Sequence, residues 1–290
     1  MEAYSQDLVR TVKTLPRRAV WDSFKGVAKK VFLLPSFACE DIKEGFRLKK
    51  ITKETEFVLI EKNKKIAKEI KKKCIAMGLK NFTVHTTTVQ KLLASLRQAS
   101  LVLKISENIN LEANIKSWRK EVDKYKGFDV VFLDFCGQIT SETLEVLKVL
   151  KGDFLSENGV LAFTFSVNFR NNPITKEGIK IRKGFTLPTA SFEPGTATKK
   201  QKRNAYWSCD KTLKALGLTS RSLGFYMHYK EIKGRVPMVF FTASTNKTKG
   251  VAKKAVKTRN LNKLRRDYAN ATSSGVKAAI KRKMNQIQAG

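Results

Sequence analysis

The chain is short of acid, of thiols and of imidazole. Its 290 residues contain 25 Asp and Glu against 58 Lys and Arg, with 4 Cys and 2 His. Cys39, Cys74, Cys136 and Cys209 form no Cys-x-x-Cys pair, and His85 and His228 lie far apart in the chain. This spacing argues against a zinc-ribbon or zinc-finger site, so no metal is expected. The thiols read as reduced side chains of an intracellular protein. Long apolar runs are missing as well. None reaches the ~18 residues that crossing a bilayer requires, and the N-terminus has no apolar core of a secretory leader, so no membrane partner is expected. Nor does any Gly-x-Gly-x-x-Gly follow a strand-like run, which argues against a nicotinamide dehydrogenase.

Basic charge is what the chain has in excess. The formal net charge is +33. Residues 246–290 carry 13 Lys and Arg against the single acid Asp267, and residues 1–245 carry 45 against 24. The surplus is therefore not confined to a tail. Charge of this size adds self-repulsion without a matching gain in solubility, so it implies a polyanionic partner, most simply RNA or DNA.

The rest of the chain is arranged about Gly127-Phe-Asp-Val-Val-Phe-Leu-Asp134-Phe-Cys136-Gly137. Phe128–Leu133 is almost wholly apolar and too short for a buried helix, as expected of a parallel strand covered on both faces. Asp134 stands at its carboxyl end, where open α/β sheets bind ligands, and the residues after it read as a turn. Residues 1–30 read as a basic amphipathic lead-in divided into two helical pieces by Pro16. Val31–Leu34 reads as a strand stopped by Pro35, followed by a short helix ending near Phe46. Thr55–Glu61 is a second strand, and Lys62–Met77 is a helix closed by Gly78. Asn81–His85 is a third strand. Helical segments follow from Val89 to about Leu103 and through 105–126, and again over Ser141–Leu155. Gly159–Phe165 is a fifth strand. Residues 166–203 form a long basic insertion, Asn204–Leu216 a helix, and 222–232 with 237–244 an antiparallel hairpin.

The expected fold class is therefore α/β, a doubly wound, mostly parallel seven-stranded sheet with a terminal antiparallel hairpin, followed by a basic tail that is helical or disordered. Residues 1–245 form the folded domain and 246–290 a nucleic-acid-binding appendage. Alternating β/α units ending in a helix and an antiparallel pair resemble the class I S-adenosylmethionine-dependent methyltransferases over about 25–245. The resemblance implies S-adenosylmethionine as cofactor. It places Leu34–Cys39, including Pro35 and Ser36, at the first cofactor turn, with Glu40 and Asp41 just beyond it. Glu61 falls at the ribose position, His85 and Thr86 at the adenine position, and Asp134–Gly137 at the motif facing the substrate. The first turn has no glycine, and the fourth-strand motif has Asp134 and an aromatic but no Pro-Pro.

Asp134 and Cys136 are the candidate catalytic residues. Cys136 reads either as a nucleophile of the cytosine-C5 type or as a small buried residue at a turn. Glu61 reads either as the ribose acceptor or as a solvent-facing residue near Lys65. For the nucleic acid, Arg170 and Asn171 in the insertion offer base and phosphate contacts, and Lys199, Lys200, Lys202 and Arg203 offer phosphate contacts. The tail adds Lys253, Lys254, Lys257 and Arg259, then Arg265 and Arg266, and finally Lys281, Arg282 and Lys283, for salt-dependent affinity. Two functions follow: a methyltransferase acting on RNA or DNA, or an inactive methyltransferase-fold protein serving as a nucleic-acid-binding or accessory subunit.

Overall fold

The computed structural model describes residues 6–108, 112–167, 185, 191–192, 198–230 and 237–244. Helix α1 spans Gln6–Ser23 and leads to β1 (Lys30–Leu33), α2 (Glu40–Arg47), β2 (Glu56–Ile60), α3 (Lys64–Ala76) and β3 (Phe82–His85). Helices α4 (Val89–Asn108) and α5 (Glu112–Asp123) precede β4 (Phe128–Gln138), α6 (Ser141–Leu147) and β5 (Leu155–Ser166). The described chain ends with β6 (Ser191–Phe192), α7 (Lys199–Ala215), β7 (Leu223–Lys230) and β8 (Pro237–Ser244). The strands form one sheet in the order β3-β2-β1-β4-β5-β8-β7-β6. Neighbours from β3 to β5 are parallel, while β8 runs antiparallel to both β5 and β7.

Side-chain alternation sorts the core into two layers. Phe32, Val58, Val131, Leu133 and Phe163 face α4, α6 and α7, which contribute Leu93, Val146, Trp207 and Leu213. Val31, Leu33, Phe57, Leu59, Val130 and Phe132 face the other way, onto Trp21 and Phe24 of α1, Ile42 of α2 and Ile70 of α3. A strand covered on both faces must be apolar at every position, which explains the unbroken apolar runs of β1, β2 and β4.

The expected mostly parallel sheet with an antiparallel end is present. The described residues correct the strand count to eight, because Ser191–Phe192 pairs parallel to β7 within the expected insertion. Pro16 does not divide the lead-in, and α1 runs continuously through it. The burial of Val20, Trp21 and Phe24 against the sheet offsets the backbone hydrogen bond that proline forfeits. Helix α7 begins at Lys199 rather than Asn204, because Thr198 and Gln201 form a reciprocal capping box. The expected single helix over 141–155 is α6 followed by two 3-10 turns. Strand β4 continues through the expected turn as far as Gln138, with its register shifted between Asp134 and Gln138.

Gly45 marks a close approach of α2 to the rest of this layer. A Cβ there would lie 2.9 Å from Trp21 Cε2 and Cζ2 and 2.9 Å from Ile51 Cδ1. Trp21 is only 1% exposed and cannot move aside without opening the layer. Gly45→Ala is expected to destabilise the fold by ~1–3 kcal/mol, the usual cost of overpacking. Urea denaturation measures this, and an unchanged midpoint would show that α1 and α2 are not tightly packed.

Candidate active-site cleft

The carboxyl ends of β1, β2 and β4 and the start of α4 surround a cleft of about 540 Å³, within the range of small-molecule sites. Leu34, Pro35 and Ser36 line it from the end of β1, and Ile60, Glu61 and Lys62 from the end of β2. Thr87, Thr88, Val89 and Gln90 close it at the start of α4. Asp134, Phe135, Gly137 and Gln138 come from the end of β4, with Thr143 from α6.

The turn after β1 is tight although it has no glycine. Cys39 adopts the left-handed conformation, with φ 54°, a geometry that costs a non-glycine residue ~1–3 kcal/mol and persists only where the surroundings hold it. The surroundings here are a set of hydrogen bonds. The Cys39 amide donates to the Ser36 carbonyl at 2.8 Å, and the Glu40 amide donates to Ser36 Oγ at 3.1 Å. The Ser36 amide donates to Asp41 Oδ2 at 3.0 Å. Asp41 is buried, and its Oδ1 accepts from Arg17 Nε of α1 at 3.0 Å. Trp21 Nε1 donates to the Asp41 carbonyl at 2.9 Å. Arg17 and Asp41 thus form the brace beneath the cleft floor. Sequence reasoning places Asp41 only near the cofactor and misses Arg17, which lies 24 residues away in the chain.

Glu61 is half-buried at the mouth of the cleft. Its Oε1 accepts from the Asn63 amide at 2.7 Å, while Asn63 caps α3 through the Lys65 and Ile66 amides. A carboxylate can accept about four hydrogen bonds, so this anchoring leaves capacity for a vicinal diol. Asp134 is positioned by pairing with Thr164 of β5. Beyond it, four steps along β4 pass two steps along β5, a bulge of the kind that re-aims side chains at strand ends. Phe135, next to Asp134, stacks on Phe165 with ring centroids 5.2 Å apart and pins this end of the strand.

The structure thus brings Pro35, Ser36, Glu61 and Asp134 into one cleft. His85 and Thr86 are not among its lining residues, and Thr87 and Thr88 stand there instead. His85 Nε2 lies 3.1 Å from the Tyr125 hydroxyl. Burial lowers the His85 pKa, with a smaller opposing effect from Glu121, and burial also raises the Tyr125 pKa. Lys199, Lys200, Lys202 and Arg203 are exposed in the first turns of α7 and do not line the cleft. The Cys136 side chain, Arg170, Asn171 and every basic residue of 246–290 lie outside the described residues. Thr87, Thr88, Gln90, Gln138 and Thr143 could not have been picked from the sequence, because short-range pattern does not reveal which side chain at a strand end or helix start turns into a cleft.

Five parallel strands alternating with helices, followed by a helix and an antiparallel pair, decide the chain path. The fold is Rossmann-like, a doubly wound α/β sheet with an antiparallel end. No protein-family model and no curated protein matches the sequence. Among solved structures the chain is similar to an rRNA methylase from Streptococcus thermophilus, at 11% identity over 79% of this chain and 95% of that one, with a TM-score of 0.39. It is similar to a SAM-dependent methyltransferase from Aquifex aeolicus, at 12% identity over 84% of this chain and 99% of that one, TM-score 0.41. An O-methyltransferase from Bacillus cereus in complex with SAH has 13% identity over 84% of this chain and 83% of that one, TM-score 0.41.

The His85 environment predicts a pH dependence. In the unfolded chain the imidazole titrates near 6.5, and in the folded chain its pKa is lower. Between those values the unfolded state binds the extra proton, so this contribution to stability is full above about pH 6.5 and falls as pH drops through the folded value. His85→Gln is expected to flatten the pH dependence of stability in that window. Thermal melts across it decide the point, and parallel profiles for the two proteins would refute the assignment.

Proposed function

We propose that the protein is a methyltransferase-like protein that uses S-adenosylmethionine and acts on, or binds, nucleic acid. The observation that carries this reading is the convergence of Glu61 and Asp134, from the ends of β2 and β4, on one cleft. Glu61 would accept hydrogen bonds from the two ribose hydroxyls of the cofactor. Leu34, Pro35, Ile60 and Val89 provide apolar walls and Ser36 lies on the floor. The cofactor would supply an electrophilic methyl group. Asp134 would accept a hydrogen bond from the acceptor N–H or O–H and so orient its lone pair along the line of displacement, where alignment supplies much of the rate.

The substrate class is proposed from charge. A net +33 suits a polyanion, and residues 246–290 would form an appendage to the 1–245 domain that holds phosphates. Residues 166–203, with Arg170 and Asn171, would contact the acceptor strand. Such a protein would reside wherever its RNA or DNA does, inside the cell.

One observation favours a second reading, an inactive accessory subunit on the same fold. Pro35 has no amide hydrogen and the Ser36 amide is bonded to Asp41 at 3.0 Å, so the turn after β1 has fewer donors to offer a cofactor carboxylate.

Isothermal titration with S-adenosylmethionine separates the two readings. Micromolar binding is expected, weakened tenfold or more, ~1.4 kcal/mol, by Glu61→Ala. A folded protein that binds neither S-adenosylmethionine nor S-adenosylhomocysteine would leave the accessory role. In the enzyme, Asp134→Ala should leave cofactor affinity nearly unchanged while methyl transfer to RNA or DNA falls by roughly a hundredfold, the scale of a misaligned acceptor. Loss of cofactor binding in that variant would move Asp134 from the acceptor side to the cofactor side.

A further inference from the structure

Helix α3 carries a charge pattern that its own folding does not call for. Lys64, Lys65, Lys68, Lys71 and Lys72 are all exposed. At about 100° per residue they fall within an arc of about 120°, opposite the buried Ala67, Ile70 and Cys74. The only acid on the helix is Glu69, which pairs with Lys72 at 2.9 Å. Among the described residues, Lys64, Lys65, Lys68 and Lys71 make no ion pair. Like charges three and four residues apart weaken a helix. Lys64 and Lys65 also sit in the first turn, where the helix dipole favours an anion, and no acid accompanies them there. A face kept only for solubility can alternate its signs, as α5 does with Asp123 among Lys116, Arg119 and Lys120.

The two ends of the helix add direction. Lys62, just before the helix, lines the cleft. Towards the other end, on the helix flank outside the lysine arc, Lys73 lies 3.6 Å from the centroid of the Phe37 ring and donates to the Phe37 carbonyl at 2.6 Å. Phe37 is nevertheless 53% exposed. An exposed aromatic held by a lysine on the flank of the same helix adds base stacking to the phosphate attraction of the lysine arc, the two features that bind single strands.

We propose that the outer face of α3, from Lys64 and Lys65 to Lys71 and Lys72, is a docking track for a single-stranded polynucleotide, with its lysines on phosphates and the Phe37 ring, on the flank at Lys73, under a base where the strand leaves the arc. The proposal rests on the nucleic-acid reading above for its class of partner, and it names a surface separate from α7 and the tail.

The test is fluorescence anisotropy of the full chain with a short labelled oligouridylate over a range of salt. The triple variant Lys64→Gln, Lys68→Gln, Lys71→Gln changes only exposed side chains and is checked for an unchanged melting temperature. It should bind at least tenfold more weakly at low salt, and its salt slope should be shallower by about 2, roughly 0.7 for each lysine removed. Phe37→Ala should weaken binding severalfold and leave the slope unchanged. The variant Arg265→Gln, Arg266→Gln serves as the comparison in the tail. If the α3 variant matches the parent in affinity and slope while the tail variant is impaired, the track is wrong and the nucleic-acid reading stands. If the parent ignores the oligonucleotide at low salt but sediments with phosphatidylserine vesicles, both are wrong.

Discussion

One buried carboxylate ties together the elements that frame the cleft. Asp41 binds the Arg17 guanidinium of α1 through one oxygen and the Ser36 amide of the β1 turn through the other. Its own carbonyl receives the Trp21 indole. An ion pair removed from water seldom adds net stability over an apolar replacement, yet removing one partner alone is costly because the other is left buried and uncompensated. Such a pair therefore defines geometry more than it stabilises. Here it fixes the path of a turn that would otherwise depend on glycine. The left-handed Cys39, the short hydrogen bonds across Ser36 and the entry angle of α2 all follow from an acid that cannot leave its two donors. Helix α1, which precedes the sheet in the chain, is thereby tied to the turn that lines the cleft.

The cleft itself follows from strand order. From β1 the chain winds outward through β2 to β3, then crosses back to β4 and winds the other way to β5. At such a reversal the crossovers leave in opposite directions and the strand ends between them stay uncovered, which is where open α/β sheets bind ligands. Leu34–Ser36 from β1 and the bulged end of β4 border that gap, and Glu61 at the end of β2 closes its flank. The bulge matters because a regularly paired strand would present alternate residues to opposite layers. Extra residues between Asp134 and Gln138 break that alternation, so Asp134, Phe135, Gly137 and Gln138 can all border the cleft.

The parts of this arrangement that depend on short-range pattern were legible in the sequence. Apolar runs gave the buried strands, Gly78 closed α3, and the short joint before Pro237 could only link antiparallel strands. Glu61 and Asp134 could be named because a carboxylate directly after a buried strand has to meet solvent or a donor. What could not be read depended on distant partners. Pro16 looks like a helix break until Trp21 and Phe24 are seen packed on the sheet. The His85 ring could equally face the cleft or the helix side, and the Tyr125 hydroxyl, 40 residues on, settles which. The start of α7 was a missed local signal, since Thr198-x-x-Gln201 is a capping box in plain sight.

Charge sets the remaining constraint. Where acids exist they are used at short range, as in Lys43 with Glu40 and Lys124 with Glu121, both exposed pairs three residues apart and of the kind contributing ~0–1 kcal/mol each. With 25 acids for 58 bases, one-to-one pairing can serve fewer than half of the cations. Their mutual repulsion is screened beyond ~8 Å at physiological salt, so it acts mainly within dense groups such as the outer face of α3. The two-layer apolar core has to offset that repulsion in the isolated protein. A polyanion lying along such a group would relieve it, and one that bound the folded arrangement of lysines better than a dispersed chain would convert its affinity into stability by mass action. If the proposed polyanion is the partner, recognition and folding would be coupled at dense groups of positive charge such as the outer face of α3.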